Sequence, residues 1–174
     1  MMHSFLSCHR FVGGDMDKTI YIEVSEQPLD IQNACDIVSD PAHGAIDVFI
    51  GAVRNHHQGN NVIGITYDVH KDLAERTLHK ICEEAQGMWP ETKYYVAHYK
   101  GTLDIGGISV LIAVSSAHRS ETFEACRYVI EEIKKRAPVW KQEHYPDRKS
   151  TWLPGHSLTM DTEIGETCCG KCNV

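Results

Sequence analysis

The fold of this chain is most tightly constrained by how the spacing of its apolar residues switches along its length. Thr19 to Val24 sets Ile20, Ile22 and Val24 against Tyr21 and Glu23, the period of two that marks a half-buried strand. After Pro28, Ile31, Ala34, Cys35 and Val38 recur at helical steps, and Asp40-Pro41 ends that helix. GAIDVFIGAVR, from Gly44 to Arg54, reads as a strand in which Gly51 marks a bulge or a close backbone approach. NHHQGNN, containing Gly59, is expected to be an exposed, mobile loop; Val62 to Val69 alternates again and is expected to pair antiparallel with the strand before the loop. Leu73, Leu78, Ile81, Cys82 and Ala85 place an amphipathic helix over Lys71 to Met88, closed by Pro90. Lys93 to Tyr99 and Ile108 to Ser115 read as strands flanking the turn-rich TLDIGG, and a last helix comes after them. Strand pairs alternating with helices give an α+β domain with a largely antiparallel sheet rather than a parallel βαβ winding.

The last helix carries the densest chemistry. In SSAHRSETFEACRYVIEEIKKRAPVWK, Phe123, Cys126, Ile130, Ile133 and Ala137 recur at three- and four-residue steps and define a packed face. Ser120 is read as the N-cap, Glu121 and Glu124 suit the positive end of the helix dipole, and Pro138 marks the stop. Lys and Arg in a final turn are ordinary dipole partners, each contributing about 0.3 to 1 kcal/mol. That explains Lys134, Lys135 and Arg136, but not Lys141, which lies beyond Pro138.

The 174 residues fit one domain, and 42% hydrophobic with 24% charged residues is ordinary for a globular protein. A formal net charge of −7 disfavours nucleic-acid binding through the bulk field, so an anionic ligand has to be met by local cations. The segment Lys134 to Lys141, with four Lys or Arg and no acid, is such a concentration. No apolar run approaches the ~18 residues that span a bilayer. The segment MMHSFLSCHRFVGGDMD lacks a basic n-region with a long apolar stretch, and its single Arg and two acids do not fit a mitochondrial presequence. Residues 1–17 are expected to be a poorly ordered extension, with Met16 a conceivable alternative start.

Seven cysteines, at Cys8, Cys35, Cys82, Cys126, Cys168, Cys169 and Cys172, form an odd and scattered set that suits a reducing cytoplasm better than a disulfide framework. His56, His57, His70 and His79 show no ligand pair with a carboxylate on one helix face, so they read as loop or surface histidines and no metal site is expected. No GxxxxGK[ST] or GxGxxG occurs; Gly13-Gly14 and Gly106-Gly107 are turn signals.

Three basic elements remain: Arg54 at a strand end, His118-Arg119 at a helix mouth, and Lys134 with Lys141 around the other end of that helix. Strand ends and helix termini are where α/β proteins place ligands, and such donors suit a phosphate or carboxylate, each charge-assisted bond contributing about 1.5 to 3 kcal/mol. A lysine crowded by other cations is also more readily neutral, hence available as nucleophile or base.

GAIDVFIGAVRNHHQG, SSAHRSETFEA and IKKRAPVWKQE, in this order and separation, closely resemble the catalytic (large) subunit of molybdopterin synthase, over about Ile20 to Trp152. The resemblance implies an α/β hammerhead with an additional antiparallel β subdomain. It implies a sulfurtransferase that converts cyclic pyranopterin monophosphate to molybdopterin, taking sulfur from a thiocarboxylate on the C-terminal Gly-Gly of a ubiquitin-like small subunit. No cofactor and no bound metal are implied. Lys134 and Lys141 would be the two active-site lysines, and Arg54 the strand-end arginine that holds substrate. His118 and Arg119 would reach the site of the other protomer, implying a homodimer with a small partner at each end. Ala52, Val53, Gln142 and Glu143 would line the pocket by adjacency. The matched domain is expected over residues 18–155 and a Cys-containing tail over 156–174. Where the family often has a basic residue after the tail tryptophan, this chain has Trp152-Leu153-Pro154-Gly155-His156, and CCGKCNV has no family counterpart. The alternatives are a non-catalytic scaffold that binds the ubiquitin-like partner, or a thiol or metal protein acting through the CCGKC tail.

Overall fold

The computed structural model describes residues 18–147 and 149–153; the expected N-terminal extension and the cysteine tail, His156 included, lie outside the described residues. The elements run β1 (Ile20–Ser25), α1 (Ile31–Val38), β2 (Ala45–Ala52), β3 (His56–His57), β4 (Asn60–Asn61), β5 (Gly64–Val69), α2 (Lys71–Met88), β6 (Lys93–Tyr99), β7 (Gly101–Asp104), β8 (Ile108–Ser116), α3 (Arg119–Arg136), β9 (Val139–His144) and β10 (Thr151–Trp152). They build the expected α+β fold from two four-stranded sheets, ordered β1-β6-β8-β2 and β10-β9-β5-β7, plus the small β3-β4 ribbon. Only the β1–β6 pairing is parallel; β6–β8, β2–β8 and all pairs of the second sheet are antiparallel. The second sheet is the additional antiparallel subdomain.

Alternation along the first sheet supplies both of its cores. Tyr94, Val96, Ile112 and Val114 face α2 and α3, meeting Leu78, Ile81, Cys82, Ala125, Val129 and Ile133. The intervening residues Tyr95, Ala97, Leu111 and Ala113 face the other way onto Leu29, Ala34 and Val38 of α1. Helices therefore cover both faces, which explains why β8 is buried at nearly every position. Desolvation in the first core pushes the thiols of Cys82 and Cys126 up to about 12, leaving them inert fillers.

Several expectations are corrected. The 44–54 strand does not pair with the 62–69 strand: β2 pairs with β8, whereas β5 pairs with β7 and β9. The expected loop between them forms its own ribbon, turned at Gln58 and Gly59 with φ of 47° and 79°, and this redirects the chain into the second sheet. Within TLDIGG, Gly101–Asp104 is strand β7, and the turn is confined to Ile105 and Gly106. Past Pro138, Val139–His144 is a further strand, beside β5 and β10, that the spacing did not predict. His118, in extended backbone, caps α3 without a side-chain bond, while Ser120 sits in the first turn with its hydroxyl 3.1 Å from Glu121. Phe123 is 58% exposed, because the packed stripe is Thr122, Ala125, Cys126, Val129, Ile130 and Ile133. Trp152, in the short strand β10, is 50% exposed.

Candidate active site

α3 leaves β8 at Ser116, opposite the start of β2, and packs back over β2 and β8. It therefore runs parallel to β2, and its 18 residues, ~27 Å at 1.5 Å per residue, match the length of that strand. Lys134 in its last turn and Arg54 just past β2 consequently lie at the same end of the first sheet. The α2 side of α3 is fixed by Tyr128 against Trp89 and by Arg136 on Glu84, so Lys134, Arg127 and Phe123 run along the opposite flank, above the free edge strand β2.

At this end β2 is irregular. The register slips between Gly51 and Ala52, and a Cβ on Gly51 would lie 2.5 Å from a methyl of Val110, so the bulge and the close approach expected of Gly51 are both present. The Ser109 hydroxyl donates to the Gly51 carbonyl at 3.1 Å and lies beside the Tyr67 side chain of β5. Burial raises the Tyr67 phenol above its usual value. Tyr67 packs edge-on against His98, with ring centroids 5.4 Å apart; burial lowers the pKa of His98, against the opposing effect of its Nδ1–H bond to the Tyr99 carbonyl at 2.8 Å.

Tyr67 is the cross-strand partner of Lys141, which brings β9 to the same place. Alternation divides β9 into two faces. Val139, Lys141 and Glu143 share the inner face with Tyr67 and Ile65, whereas Trp140, Gln142 and His144 point to the outer one. Gln142 thus lies on the side of the sheet away from Lys141, beside a polar ladder in which Thr66 bonds Thr102 at 2.8 Å and His144 at 2.7 Å. Two open hollows on that outer region, of about 370 and 500 Å³, share Asp68 and Lys100 and contain none of the residues singled out from the sequence.

Ala52 is exposed at the strand end, but Val53, 3% exposed, is tucked into a small apolar cluster with Val62, Ile65 and Tyr145. Its backbone bonds Gly107 and Gly106 at 2.9 and 2.8 Å. Glu143 is likewise 3% exposed, and its carboxylate accepts from Tyr145 at 2.8 Å and from His57. Both side chains support the wall from behind.

Among the cations, engagement separates the motif residues from their neighbours. Lys135 lies 3.0 Å from Glu132, and Arg136 is bound by Glu84 and Glu132. Arg54, Lys134, Lys141, His118 and Arg119 make no ion pair with any described residue. His118 and Arg119 are exposed at the N-terminus of α3, a full helix length from Lys134. In one protomer Arg54, Lys134 and Lys141 thus lie toward the same end of the first sheet, with the His-Arg pair at the far end. Sequence reading missed Tyr67, His57 and Tyr145; the alternation of residues 62–69 was visible, but not which strands would flank it. Among the described residues no group of three or more His, Cys, Asp or Glu is placed to hold a metal, and no helix is long and apolar enough to cross a membrane.

Residues 24–136 match the MoaE protein family. The molybdopterin synthase catalytic subunit of Synechococcus elongatus is 43% identical over 141 residues, covering 80% of this chain and 86% of that one. The subunit of the same name from Bos taurus is 37% identical, covering 75% and 69%. The crystal structure of molybdopterin synthase from Staphylococcus aureus superposes with a TM-score of 0.72 at 34% identity, covering 79% of this chain and 98% of that one. A complex of subunits 1 and 2 of molybdopterin-converting factor from Helicobacter pylori superposes with a TM-score of 0.58 at 25% identity, covering 75% and 87%. With a family match over most of its described length and relatives of this identity and coverage, the chain belongs to the MoaE family of molybdopterin synthase catalytic subunits.

Proposed function

We propose that this protein is a sulfurtransferase of molybdenum cofactor biosynthesis, converting cyclic pyranopterin monophosphate to molybdopterin with sulfur from the C-terminal thiocarboxylate of a ubiquitin-like small subunit. The observation that carries this reading is that Arg54, Lys134 and Lys141, cations without carboxylate partners among the described residues, lie toward the same end of the first sheet. Arg54 holds the anionic part of the pterin. Lys134 and Lys141 meet the acyl-sulfur tail, attacking or orienting its carbonyl and handling protons, with no resident cofactor or metal. Ala52 lines the mouth, while Val53 and Glu143 set it from below. Gln142, on the outer face, is assigned to the small subunit's side of the sheet. The complex of two subunits in the Helicobacter pylori relative supports the small partner.

The homodimer is inferred from where α3 ends. β2 is an edge strand with Ile46 and Ile50 exposed at 44% and 42%, and the flank of α3 above it exposes Phe123. A two-fold axis through the middle of β2 sets two α3 helices antiparallel, so that His118 and Arg119 of one protomer meet Lys134 of its partner. Each site is then completed by the other chain, and with a small subunit at each end the assembly is a heterotetramer. Free thiols at Cys35, Cys82 and Cys126 fit a reducing compartment, and we place the protein in the cytoplasm.

The test is reconstitution with thiocarboxylated partner and cyclic pterin, measuring dithiolene product. Lys134→Ala and Lys141→Ala should each keep the fold and the partner but lose product by about a hundredfold or more, each tenfold being about 1.4 kcal/mol of barrier. Undiminished turnover in both would overturn the roles given to the two lysines.

A further inference from the structure

Past Arg54 the chain enters the His56–Asn61 ribbon, whose base is fixed by backbone bonds from Val62 to Asn55 and from Ile63 to His144, each 2.9 Å. From this ribbon the His57 ring reaches to β9, where Nδ1 lies 2.9 and 3.0 Å from the two oxygens of Glu143. The carboxylate is buried and the imidazole is 21% exposed, so one edge of the ring still meets solvent. Glu143 sits two residues beyond Lys141 on the same strand face. The contact therefore spans the segment that carries Arg54 and the strand that carries Lys141.

We propose that His57 is a positioning residue for the sulfur-transfer reaction, holding Arg54 at a set distance from Lys141 through its contact with Glu143. This rests on the reading of Arg54 and Lys141 as site residues. A buried carboxylate deprived of a donor is left short of a partner, so loss of His57 both loosens the stem and leaves an under-satisfied charge two residues from Lys141. The other titratable groups around the pair are Tyr145, which also donates to Glu143, and Tyr67 on β5, whose phenol feels the Glu143 charge. His56 turns away to Asn55 at 3.0 Å, and His144 faces the outer ladder.

The experiment uses the full chain with thiocarboxylated partner and cyclic pyranopterin monophosphate, following kcat and KM for the pterin. His57→Ala should raise KM about tenfold with a smaller change in kcat, as expected for loss of a charge-assisted bond at a binding surface. His57→Asn, whose amide nitrogen falls where Nδ1 lay, should restore most of the affinity. In a Glu143→Gln background, His57→Ala should have little further effect. Wild-type KM in His57→Ala, with Lys141→Ala inactive, would overturn the proposal alone; an active Lys141→Ala would overturn the site reading and the proposal with it. Should His57→Ala not fold, His57→Phe, which keeps the ring's bulk without its donor, decides: a raised KM supports the clasp, and a wild-type KM rejects it.

Discussion

Lys134 and Lys135 are adjacent in sequence and differ in circumstance: Lys135 lies 3.0 Å from Glu132, whereas Lys134 has no carboxylate among the described residues. Helix-dipole stabilisation is available to both, so a dipole role alone predicts equal effects of substitution. We expect instead that Lys135→Ala turns over within about twofold of wild type while Lys134→Ala falls by about a hundredfold or more, measured as dithiolene formed per subunit. A second residue-scale prediction concerns His98. Its folded pKa is lowered by burial, so below the ordinary imidazole value of 6.5 the unfolded chain binds a proton that the folded chain resists. Stability therefore falls as pH drops from about 6.5 toward the folded pKa. Urea unfolding at pH 7.5 and 5.5 should show this loss, and His98→Asn, which keeps a donor for the Tyr99 carbonyl, should show less of it.

Among the elements, β2 decides the most, because its bulged end holds Arg54 while its free edge underlies the Lys134 flank of α3. Gly51 permits this by having no side chain against Val110. Gly51→Ala forces Val110 or the strand to shift and should cost about 1 to 3 kcal/mol in urea unfolding, the range for overpacking a filled site. The same shift moves the Gly51 carbonyl that Ser109 holds, and with it the link to Tyr67, so activity should fall by more than the fraction unfolded accounts for.

For the whole molecule, the length of α3 makes a site contained in one chain and a site shared between two experimentally distinct. If His118 and Arg119 serve the partner, a dimer of one Lys141→Ala chain and one Arg119→Ala chain has one doubly defective site and one intact site. Equal mixing with subunit exchange should thus recover about a quarter of wild-type sites from two inactive preparations. No recovery, with mixed dimers verified by mass, would place the pair outside the partner's site.

Period and composition were enough to read five strands and three helices near their observed positions, since each buries a face whose spacing is local to it. The motif cations were legible for a similar reason: Lys141 lies beyond Pro138, where a helix dipole gives no account of it. The short strands β7 and β9 were not legible, because Gly101–Asp104 and Val139–His144 become strands only through β5, whose position depends on the turn at Gln58-Gly59. The functions of the two faces of β9 were hidden as well. Lys141 and Gln142 are neighbours in the chain, and tertiary packing against the first sheet decides which of them faces the end of β2. Sequence by itself determined the layers, the family and the charges that matter. Tertiary structure decided that Arg54, Lys134 and Lys141 lie toward one end of the first sheet, that buried Glu143 bonds His57, and that the His-Arg pair stands a helix length away, because distance through space is set by pairing and register rather than by position in the chain.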